Sequence, residues 1–445
     1  MKPFAVIFLF LLAASGVAWR LQPASHSGKT PLVWVSDDNP ARRDHIALFN
    51  KLHPDLELRL DPDNGGMEKV IVQSLGGVGP DIFDCYGPQQ LAAYVKADIA
   101  WDVTDELKKA GVDVRRDTWA PTLPLALYKG RVYGFPANVA CDALWFNKDV
   151  FDAEHIAYPK SRSWTWQEFL PLAERLTVRD KSGRVKRFGF SFDSWMWKFF
   201  LYEWGARIYS ADGTRCTLDA PQAIAAVQFQ HDLIYKYKVM PSPAEEEAMA
   251  QEGGWGSTTM KLIGSGRLAM AVGGRWWLCT LRRYEKLRLG AVEAPHGPLR
   301  RFWGYGKSTM INKNSPHRDE ALKFLLYMTG PQYNRLVNQQ ADGLGPMKKY
   351  CTPQNLFNAQ FPQEDYHMVF RDVMPLGEAE QISPFVNAAA AERLITKQLD
   401  LVRRDAKTPT DAMRTAAAQV NEEMQRTLRR DPELKKQYEA LAKGE

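Results

Sequence analysis

The first third of the chain alternates short apolar runs with segments of helical periodicity. Residues 31–35 are apolar, residues 41–52 place large apolar side chains at helical spacing, and residues 56–60 alternate between apolar and charged. This strand–helix–strand order predicts a parallel pair of strands with a right-handed crossover. A further helix over 68–75 and an apolar strand over 82–84 extend the same α/β pattern.

A second set of α/β elements follows. The spacing of apolar residues predicts helices over 166–176 and 220–237 and a strand over 187–192. Long helical runs at 386–405 and 410–430 then dominate the end of the chain. With 445 residues, the chain is too long for one ordinary domain, so we expect an α/β protein with two lobes.

Composition excludes some classes of function. Apolar residues make up 45% of the chain and charged residues 25%, as in ordinary globular proteins. The net charge of +6 is spread along the chain, without the basic stripe that nucleic-acid binding needs, so we expect no nucleic-acid partner. The 14 tryptophans either fill a large core or stack on flat, sugar-like ligands.

Residues 1–22 are predicted to be a signal peptide or an N-terminal membrane anchor. Lys2 precedes an apolar run over 4–14, and the small residues that follow permit cleavage after Ala18. The 17 apolar or small residues over 3–19 fall short of the roughly 20 that a spanning helix needs. No other run is long and apolar enough to span a membrane, so we expect an exported protein rather than a channel.

The cysteines and histidines do not form a recognisable site. The five cysteines are widely spaced and none belongs to a C-x-x-C pair, so no disulfide can be assigned from the sequence. No histidine pair has metal-binding spacing, and we expect neither a metal nor a cofactor.

The stretch 129–149 carries polar residues within otherwise apolar strands. Lys129-Gly130-Arg131 is a turn, residues 132–136 form a short strand that proline ends, and residues 138–146 form a longer strand. Asn138 and Asp142 share one face of that longer strand because side chains alternate. This polar face is either solvated or turned toward a ligand.

Several motifs occur in a characteristic order along residues 31–350. They are "LHPDLEL", "GPDIFDCYGPQQLAAYV", "KGRVYGFP…LWFNKDVF", "SWTWQEFLPLAERL", "LIGSGRLAMAVGGRWW" and "STMINKNSPHRDEALKFLLYMTGPQYNRLV". Each motif alone is weak, but their order resembles the extracellular solute-binding proteins of ABC transporters, family 1. That family includes maltose-binding and related sugar-binding proteins.

The resemblance implies two α/β lobes joined by a hinge, with a ligand cleft between the lobes. Residues 31–137 plus 302–350 would form the first lobe. Residues 138–301 plus 351–445 would form the second, with a helical C-terminal part. Such a protein is a monomer that captures a sugar by lobe closure and delivers it to the permease subunits of an ABC importer. It is not an enzyme, and it is periplasmic or otherwise extracytoplasmic, with its N-terminal segment either removed or kept as a tether.

Candidate ligand contacts of the first lobe follow two strands. Asp37 and Asp38 come after the first strand, where an acidic side chain of a sugar-binding relative accepts hydrogen bonds from hydroxyls. One of the pair instead can cap the following helix. Tyr86 and Gln89 follow the strand over 82–84, where maltose-type relatives place tryptophan and acidic residues, so a maltose-like ligand is in doubt.

Candidate contacts of the second lobe combine acids with aromatic rings. The family's acidic contact aligns with Ala140, so either Asn138 or Asp142 can take that role. Asp193 and Trp195 match the family's pairing of an acid with an aromatic residue two positions later. The ring would stack on a pyranose face while the carboxylate accepts a hydroxyl hydrogen bond.

Three more aromatic residues complete the candidate set. Trp276 matches another stacking position of the family, whereas Trp277 points the opposite way and is predicted to be core. Trp303 and Tyr305, at the predicted return to the first lobe, belong either to the cleft or to the core. Phe385 is the aromatic residue in the stretch that matches a further C-terminal contact.

Other functions have weaker support in the sequence than a sugar receptor. The G-K-S at 306–308 lacks the earlier glycine and the following helix of a phosphate-binding loop. Asp38, Asp142 and Asp193 could converge as the two carboxylates of a glycoside hydrolase do, so the residues alone leave that class open. A binding protein for a polyamine, a peptide or a polyol is the remaining alternative.

Overall fold

The computed structural model describes residues 28–62, 66–160, 163–249 and 257–442. The predicted signal peptide or anchor over 1–22 lies outside these ranges. Within them, no helix combines the length and the apolarity that a membrane crossing requires.

The strands are numbered in chain order. They are β1 (Thr30–Val35), β2 (Leu56–Asp61), β3 (Ile82–Cys85), β4 (Leu127–Tyr128), β5 (Arg131–Val132), β6 (Gly134–Cys141), β7 (Ala143–Asn147), β8 (Val178–Arg179), β9 (Val185–Ser191), β10 (Leu268–Gly273), β11 (Leu289–Val292), β12 (Phe302–Ile311) and β13 (Gly377–Glu378).

The α-helices are named by their ranges. They are Ala41–Leu52, Met67–Leu75, Pro88–Lys96, Thr104–Lys109, Val114–Asp117, Leu123–Ala126, Lys148–Ala153, Trp166–Leu176, Trp197–Glu203, Pro221–Tyr235, Pro243–Met249, Thr258–Gly264, Leu278–Leu281, Arg318–Thr329, Pro331–Gln340, Pro353–Leu356, His367–Asp372, Ala388–Arg403, Pro409–Arg430 and Pro432–Ala442.

The first sheet has the strand order β13-β12-β3-β1-β2, and β6 also pairs with β12. β1 is parallel to β2 and to β3, which confirms the predicted parallel strand–helix–strand unit. β12 runs antiparallel to both β3 and β6. The sheet therefore joins strands from the start of the chain to a strand more than two hundred residues later.

Aromatic packing holds two helices, Ala41–Leu52 and Arg318–Thr329, against the first sheet. Trp34 of β1 and Phe49 of helix Ala41–Leu52 are fully buried. Their rings lie 5.0 and 5.1 Å from that of Phe324, which belongs to helix Arg318–Thr329. The helix that follows β12 thus packs into the core built by the first strands.

The second sheet has the order β11-β7-β10-β9-β8. β10 is parallel to β9 and antiparallel to β7. Helix Trp166–Leu176, which begins with a capping box at Thr165, buries Trp166 and Phe169 beside Phe190 of β9. The long C-terminal helices contribute to the same core through Ile395 and Val420.

The chain passes from the first sheet to the second through a single residue. β6 ends at Cys141 and β7 begins at Ala143, so Asp142 alone separates strands of the two sheets. The predicted continuous strand over 138–146 is therefore wrong. The prediction that Pro136 ends the preceding strand is also wrong, because β6 runs through Pro136 opposite Ser308, beside a bulge between Lys307 and Ser308.

Parallel pairing brings two strand ends of the second sheet to one edge. β9 leads into Asp193 and the short 3-10 turn Ser194–Met196, and β10 leads into the turn Arg275–Trp277. β7, antiparallel to β10, begins at this same edge. Asp142, Asp193 and Trp276 are therefore delivered to one edge by the topology of the sheet.

The position of β9 depends on a glycine. A Cβ atom at Gly189 would lie 1.9 Å from the carbonyl oxygen of Ala173 in helix Trp166–Leu176. We expect Gly189→Ala to push β9 from this helix and to destabilise the protein by about 2 kcal/mol or more, as overpacking does. Thermal unfolding followed by circular dichroism measures the effect.

Gly76→Ala is the matched control for this test. Gly76 has a φ of −79° and is exposed, and its nearest non-neighbouring atom would be 3.3 Å from the new Cβ. This variant should unfold close to the wild-type temperature. Equal stability of the two variants would show that β9 is not held at this distance from the helix.

Candidate functional site

Four aromatic side chains meet between the two sheets, and we refer to them as the aromatic cluster. Trp195 and Trp276 follow β9 and β10 of the second sheet, whereas Trp303 and Tyr305 belong to β12 of the first. The ring of Trp195 lies 6.3 Å from that of Trp276, 5.6 Å from that of Trp303 and 5.5 Å from that of Tyr305. The candidate residues from the two sheets are thus brought together.

The local backbone explains how the rings approach. Trp303 and Tyr305 are two positions apart on β12 and share one face, with ring centroids 4.8 Å apart. A Cβ atom at Gly274 would lie 2.4 Å from Nε1 of Trp276 and 2.8 Å from the hydroxyl oxygen of Tyr305. Only glycine leaves room at position 274 for these two rings.

Tyr305 connects the aromatic cluster to a buried acid. Its hydroxyl accepts a hydrogen bond from Nε1 of Trp276 at 3.0 Å and donates one to Oδ1 of Asp142 at 2.7 Å. Asp142 is the residue between β6 and β7, so this short chain of hydrogen bonds joins the crossing point to both sheets. Trp195, by contrast, is 41% exposed and presents its ring to solvent.

Two buried carboxylates border the aromatic cluster, and each has an oxygen without a hydrogen-bond partner. Asp142 is fully buried and Asp193 is 6% exposed, and in both the Oδ2 atom is unsatisfied. Burial raises the pKa of Asp142 to about 7, and the charge of Asp193 adds to this rise while the Tyr305 hydroxyl opposes it. Burial also raises the pKa of Asp193. Hydrogen bonds from the side chains of Thr259, Ser257 and Trp195 oppose this rise, because they favour the ionised carboxylate.

Trp303 lies deepest in the aromatic cluster. It is 6% exposed, and its indole Nε1 is buried without an acceptor. The Lys198 ammonium lies 5.5 Å from the centre of the Trp303 ring. Lys198 is itself paired with Glu380 at 2.6 Å and with Glu392 at 3.3 Å. One side of the aromatic cluster therefore faces the ammonium group of Lys198, which is already ion-paired.

A second group of candidate residues lies farther along β12, and we refer to it as the charged network. It centres on Lys307, two positions from Tyr305 on the same face of the strand. The Lys307 ammonium donates to Asp37 at 2.7 Å and to Asp84 at 2.6 Å. The members of the network are Asp37, Arg42, Asp84, Lys307 and Asp342.

The carboxylates of the charged network are satisfied by cations of the protein. Arg42 pairs with Asp37 at 3.2 Å and with Asp342 at 2.5 Å. The charges of Lys307 and Arg42 hold the pKa of Asp37 well below its usual range, although burial acts in the opposite direction as the largest single influence. The hydroxyl of Tyr86 donates a further hydrogen bond to Asp37 at 3.0 Å. Asp37 and Tyr86, two of the predicted ligand contacts, are therefore in direct contact beside the first sheet.

The remaining candidates lie apart from the aromatic cluster. Asp38 is exposed, and Asn138 of β6 is opposite Lys307 in the strand register. Gln89 lies near the start of helix Pro88–Lys96 and lines a small cavity with Glu380. Its Oε1 atom is buried without a partner. The assignment of these three residues to the ligand remains a prediction.

Two aromatic residues discussed from the sequence belong to the core. Trp277 is fully buried, as predicted for a core residue, although it lies in the 3-10 turn Arg275–Trp277 and not in a strand. Phe385 is 1% exposed and packs edge-on against Tyr438 at 5.2 Å. It therefore contributes to the core around the C-terminal helices rather than to the aromatic cluster.

The sequence reasoning missed the cations of the site. Lys307 lies in the G-K-S that was examined only as a phosphate-binding loop, yet the alternation of β12 places it beside Trp303 and Tyr305. Arg42 belongs to helix Ala41–Leu52, one turn after Asp37. Lys198 follows Trp195 by three positions, a spacing that could have indicated its closeness to the aromatic rings.

Two large cavities lie away from the aromatic cluster, beside Asn147 of β7 and Leu289 of β11. One of about 580 Å³ is lined by residues that include Asp149 and Arg187, and one of about 490 Å³ by residues that include Arg282. These charged groups are ion-paired: Asp149 with Arg288, Arg187 with Glu154, and Arg282 with Glu364. No buried side-chain atom without a partner was found on either described lining.

The arrangement can bind a ligand that combines apolar faces with hydrogen-bond donors. The aromatic rings offer apolar surface, and the free oxygens of Asp142 and Asp193 need donors, because an unsatisfied buried polar atom costs roughly 1–3 kcal/mol. In the described ranges, no group of three or more His, Cys, Asp or Glu residues is placed to hold a metal ion.

A curated protein and two solved structures are similar to this chain. The arabinooligosaccharide-binding protein of Halalkalibacterium halodurans is 21% identical over 311 residues, so the chain spans only about two thirds (66%) of that relative's length. An ABC substrate-binding protein from Listeria monocytogenes, in complex with cycloalternan, is 19% identical with a TM-score of 0.75. The comparison covers 89% of this chain and 99% of that one.

The maltose/maltodextrin-binding domain from Bdellovibrio bacteriovorus, bound to maltotriose, gives a TM-score of 0.71 at 18% identity, covering 89% and 100% of the two chains. These likenesses confirm the predicted two-lobe binding-protein fold. The family model for bacterial extracellular solute-binding proteins matches residues 36–335, which is more than half of the sequence. The chain belongs to the family of bacterial extracellular solute-binding proteins.

Proposed function

We propose that the chain is an extracytoplasmic receptor that captures a sugar between its lobes and delivers it to the permease of an ABC importer. One observation carries the proposal. Aromatic rings from both sheets meet beside two buried carboxylates that each keep an unsatisfied oxygen. Rings and acceptors on both sides of one cleft favour a ligand that is held by the two lobes together.

The chemistry of a sugar fits this combination. A pyranose ring has apolar C–H faces, which stack on aromatic rings, and hydroxyl groups around its edge. Hydroxyls can donate to the free Oδ2 atoms of Asp142 and Asp193, and such charge-assisted hydrogen bonds are stronger than neutral ones. The exposed ring of Trp195 is accessible to a ligand before the cleft closes.

The ligands of similar proteins support the same class. The names of the relative and of the two solved structures refer to arabinooligosaccharides, cycloalternan and maltotriose, all of which are carbohydrates. At identities of 18–21%, they support a carbohydrate in general rather than one sugar in particular.

Closure of the two lobes would complete the site. The single residue between β6 and β7 links the sheets, and β12 brings the chain back to the first sheet. Rotation about such connections would enclose a ligand that stacks on the exposed ring of Trp195 beside Trp303 and Tyr305. A monomer in this closed form is what the permease subunits would recognise, and residues 1–22 would direct export or tether the protein to the membrane.

Members of this family are binding proteins, and we propose no catalysis. Asp142 and Asp193 would hold the ligand rather than cleave it. Incubation of the protein with a bound oligosaccharide should leave the sugar intact, as judged by chromatography. A turnover that depends on Asp142 would instead establish the glycoside-hydrolase alternative.

Truncation of the exposed tryptophan tests the site directly. We expect a thermal-shift and calorimetric screen of arabino-, malto- and galacto-oligosaccharides and their monosaccharides to find a stabilising ligand. Ligand at one hundred times its dissociation constant should stabilise the protein by roughly 2.7 kcal/mol. Trp195→Ala should then weaken binding of that ligand tenfold or more, because stacking surface is lost.

Phe357→Ala is the control for this variant. Phe357 is also an exposed aromatic residue, at 48%, and it lies outside the aromatic cluster. Its truncation should leave affinity unchanged. Equal affinity of wild type and Trp195→Ala would remove the aromatic cluster from the site, and a stabilising polyamine or peptide in place of any sugar would overturn the proposed ligand class.

Asp142→Asn should stabilise the unliganded protein in a pH-dependent way. In the unfolded chain an aspartate loses its proton near pH 4, whereas burial holds the pKa of Asp142 at about 7. The wild-type carboxyl therefore lowers stability progressively as pH rises from about 4 to 7. At pH 8 the neutral amide should gain on the order of 4 kcal/mol in unfolding free energy, and at pH 4 almost nothing.

The same substitution should weaken sugar binding, because the amide cannot supply the carboxylate acceptor. Thermal unfolding at pH 4 and pH 8, together with calorimetry of the bound sugar, measures both effects. Greater stability with reduced affinity is typical of a residue kept for binding. If Asp142→Asn were destabilising at pH 8, the carboxylate would be a structural group and not a ligand contact.

A further inference from the structure

The two ends of the cleft-facing side of β12 differ in charge. At the Lys307 end, each carboxylate of the charged network has a cation within ion-pairing distance. At the Tyr305 end, neither Asp142 nor Asp193 has an ion-pair partner among the described residues, although Thr259, Ser257 and Trp195 donate hydrogen bonds to Asp193. The protein thus neutralises its buried acids at one end of the strand and leaves them uncompensated at the other.

The nearby charged residues that the structure describes do not neutralise Asp142 and Asp193. Arg403 acts on Asp193 from beyond ion-pairing distance and is paired with Glu246 at 2.8 Å. Lys198, over the ring of Trp303, is outnumbered by the carboxylates of Glu380 and Glu392. Among the residues that the structure describes, the surroundings of the cluster are therefore net negative when Asp142 and Asp193 are ionised.

The hydrogen-bond donors of Trp276 and Tyr305 are already used within the protein. The Trp276 indole N–H donates to Tyr305, and the Tyr305 hydroxyl donates to Asp142, so neither donor is directed at a ligand in this arrangement. The exposed ring of Trp195 offers a π face, which attracts cations through its quadrupole. Uncompensated carboxylates beside aromatic faces are a setting that favours an ammonium group.

We propose that the sugar bound at the aromatic cluster carries a free, protonated amine, whose ammonium group lies between Asp142 and Asp193 and against the face of Trp195. The inference rests on the proposed function and names the class of sugar, an amino sugar or an oligomer of one. The hydroxyl groups remain necessary, because the buried Trp303 indole N–H needs an acceptor oxygen.

An ammonium group solves a problem that a hydroxyl does not. A hydroxyl satisfies one carboxylate oxygen but leaves two like charges buried near each other, and the proximity of Asp193 already raises the pKa of Asp142. An ammonium has three donors and a positive charge, so it can satisfy both Oδ2 atoms and compensate the charge together. Acetylation of the amine removes this charge while keeping the sugar skeleton.

Matched sets of sugars test the inference by titration calorimetry at pH 7. The sets are glucose, glucosamine and N-acetylglucosamine; galactose, galactosamine and N-acetylgalactosamine; and cellobiose, the β-1,4-linked glucosamine disaccharide and its di-N-acetylated form. In the set that fits the cleft, we expect the free amine to bind at least tenfold more tightly than both the hydroxyl and the acetamide analogue.

Carboxylate-to-amide variants locate the effect. Asp142→Asn and Asp193→Asn should each reduce the preference for the amine over the hydroxyl analogue by tenfold or more, beyond any loss shared by both ligands. Both variants should fold, because they remove buried charge. Asp319→Asn, whose side chain is 84% exposed, is the control and should keep the wild-type preference.

The outcomes separate this inference from the proposed function. A neutral or acetylated sugar that binds as tightly as its amine analogue overturns the amino-sugar inference and leaves the sugar receptor standing. A preference for the amine that survives in both aspartate variants overturns the placement of the ammonium group. Absence of binding by all these sugars and by the wider saccharide panel contradicts the proposed function and the inference with it.

Discussion

The antiparallel pairing of β12 with β6 is the constraint on which the rest of the site depends. It runs from Gly304 opposite Cys141 to Met310 opposite Gly134, and it anchors β12 in the first sheet. Alternation along β12 then places Trp303, Tyr305 and Lys307 on one face. β6 continues through Asp142 directly into β7 of the second sheet. The same pairing thus sets the floor of the cleft and the point where the lobes join.

Charge is distributed unequally along that floor. Lys307 is nearly inaccessible, with 3% of its side chain exposed, and it would be costly to bury without Asp37 and Asp84. At this end of the cleft, each carboxylate of the charged network is paired with a cation. The other end keeps two acids that the protein does not neutralise, at a cost to its own stability. A bound ligand would compensate the charge of these two acids. Such compensation is needed at the Tyr305 end of β12 and not at the Lys307 end.

The sequence predicted the fold and the parts of the site that are local in the chain. The pairing of Asp193 with Trp195, and the burial of Trp277 beside the half-buried Trp276, involve neighbouring positions and needed no knowledge of the sheet. Lys307 was missed because its carboxylate partners lie 270 and 223 positions earlier, and only the strand register brings them together. The break at Asp142 was missed because the strands on both sides have the same apolar pattern.

The association of Trp303 and Tyr305 with the second sheet also depends on tertiary structure. Trp195 and Trp276 reach them from turns after β9 and β10, whose positions follow from parallel pairing rather than from any local signal. The sequence therefore left the core and the cleft as equal alternatives for these residues.

The most direct test of the account is small-angle X-ray scattering of the protein with and without a sugar that calorimetry shows to bind. Capture between closing lobes predicts a smaller radius of gyration at saturation, and a return to the unliganded value when the sugar is removed by dialysis. An unchanged radius of gyration at full saturation would contradict capture by lobe closure.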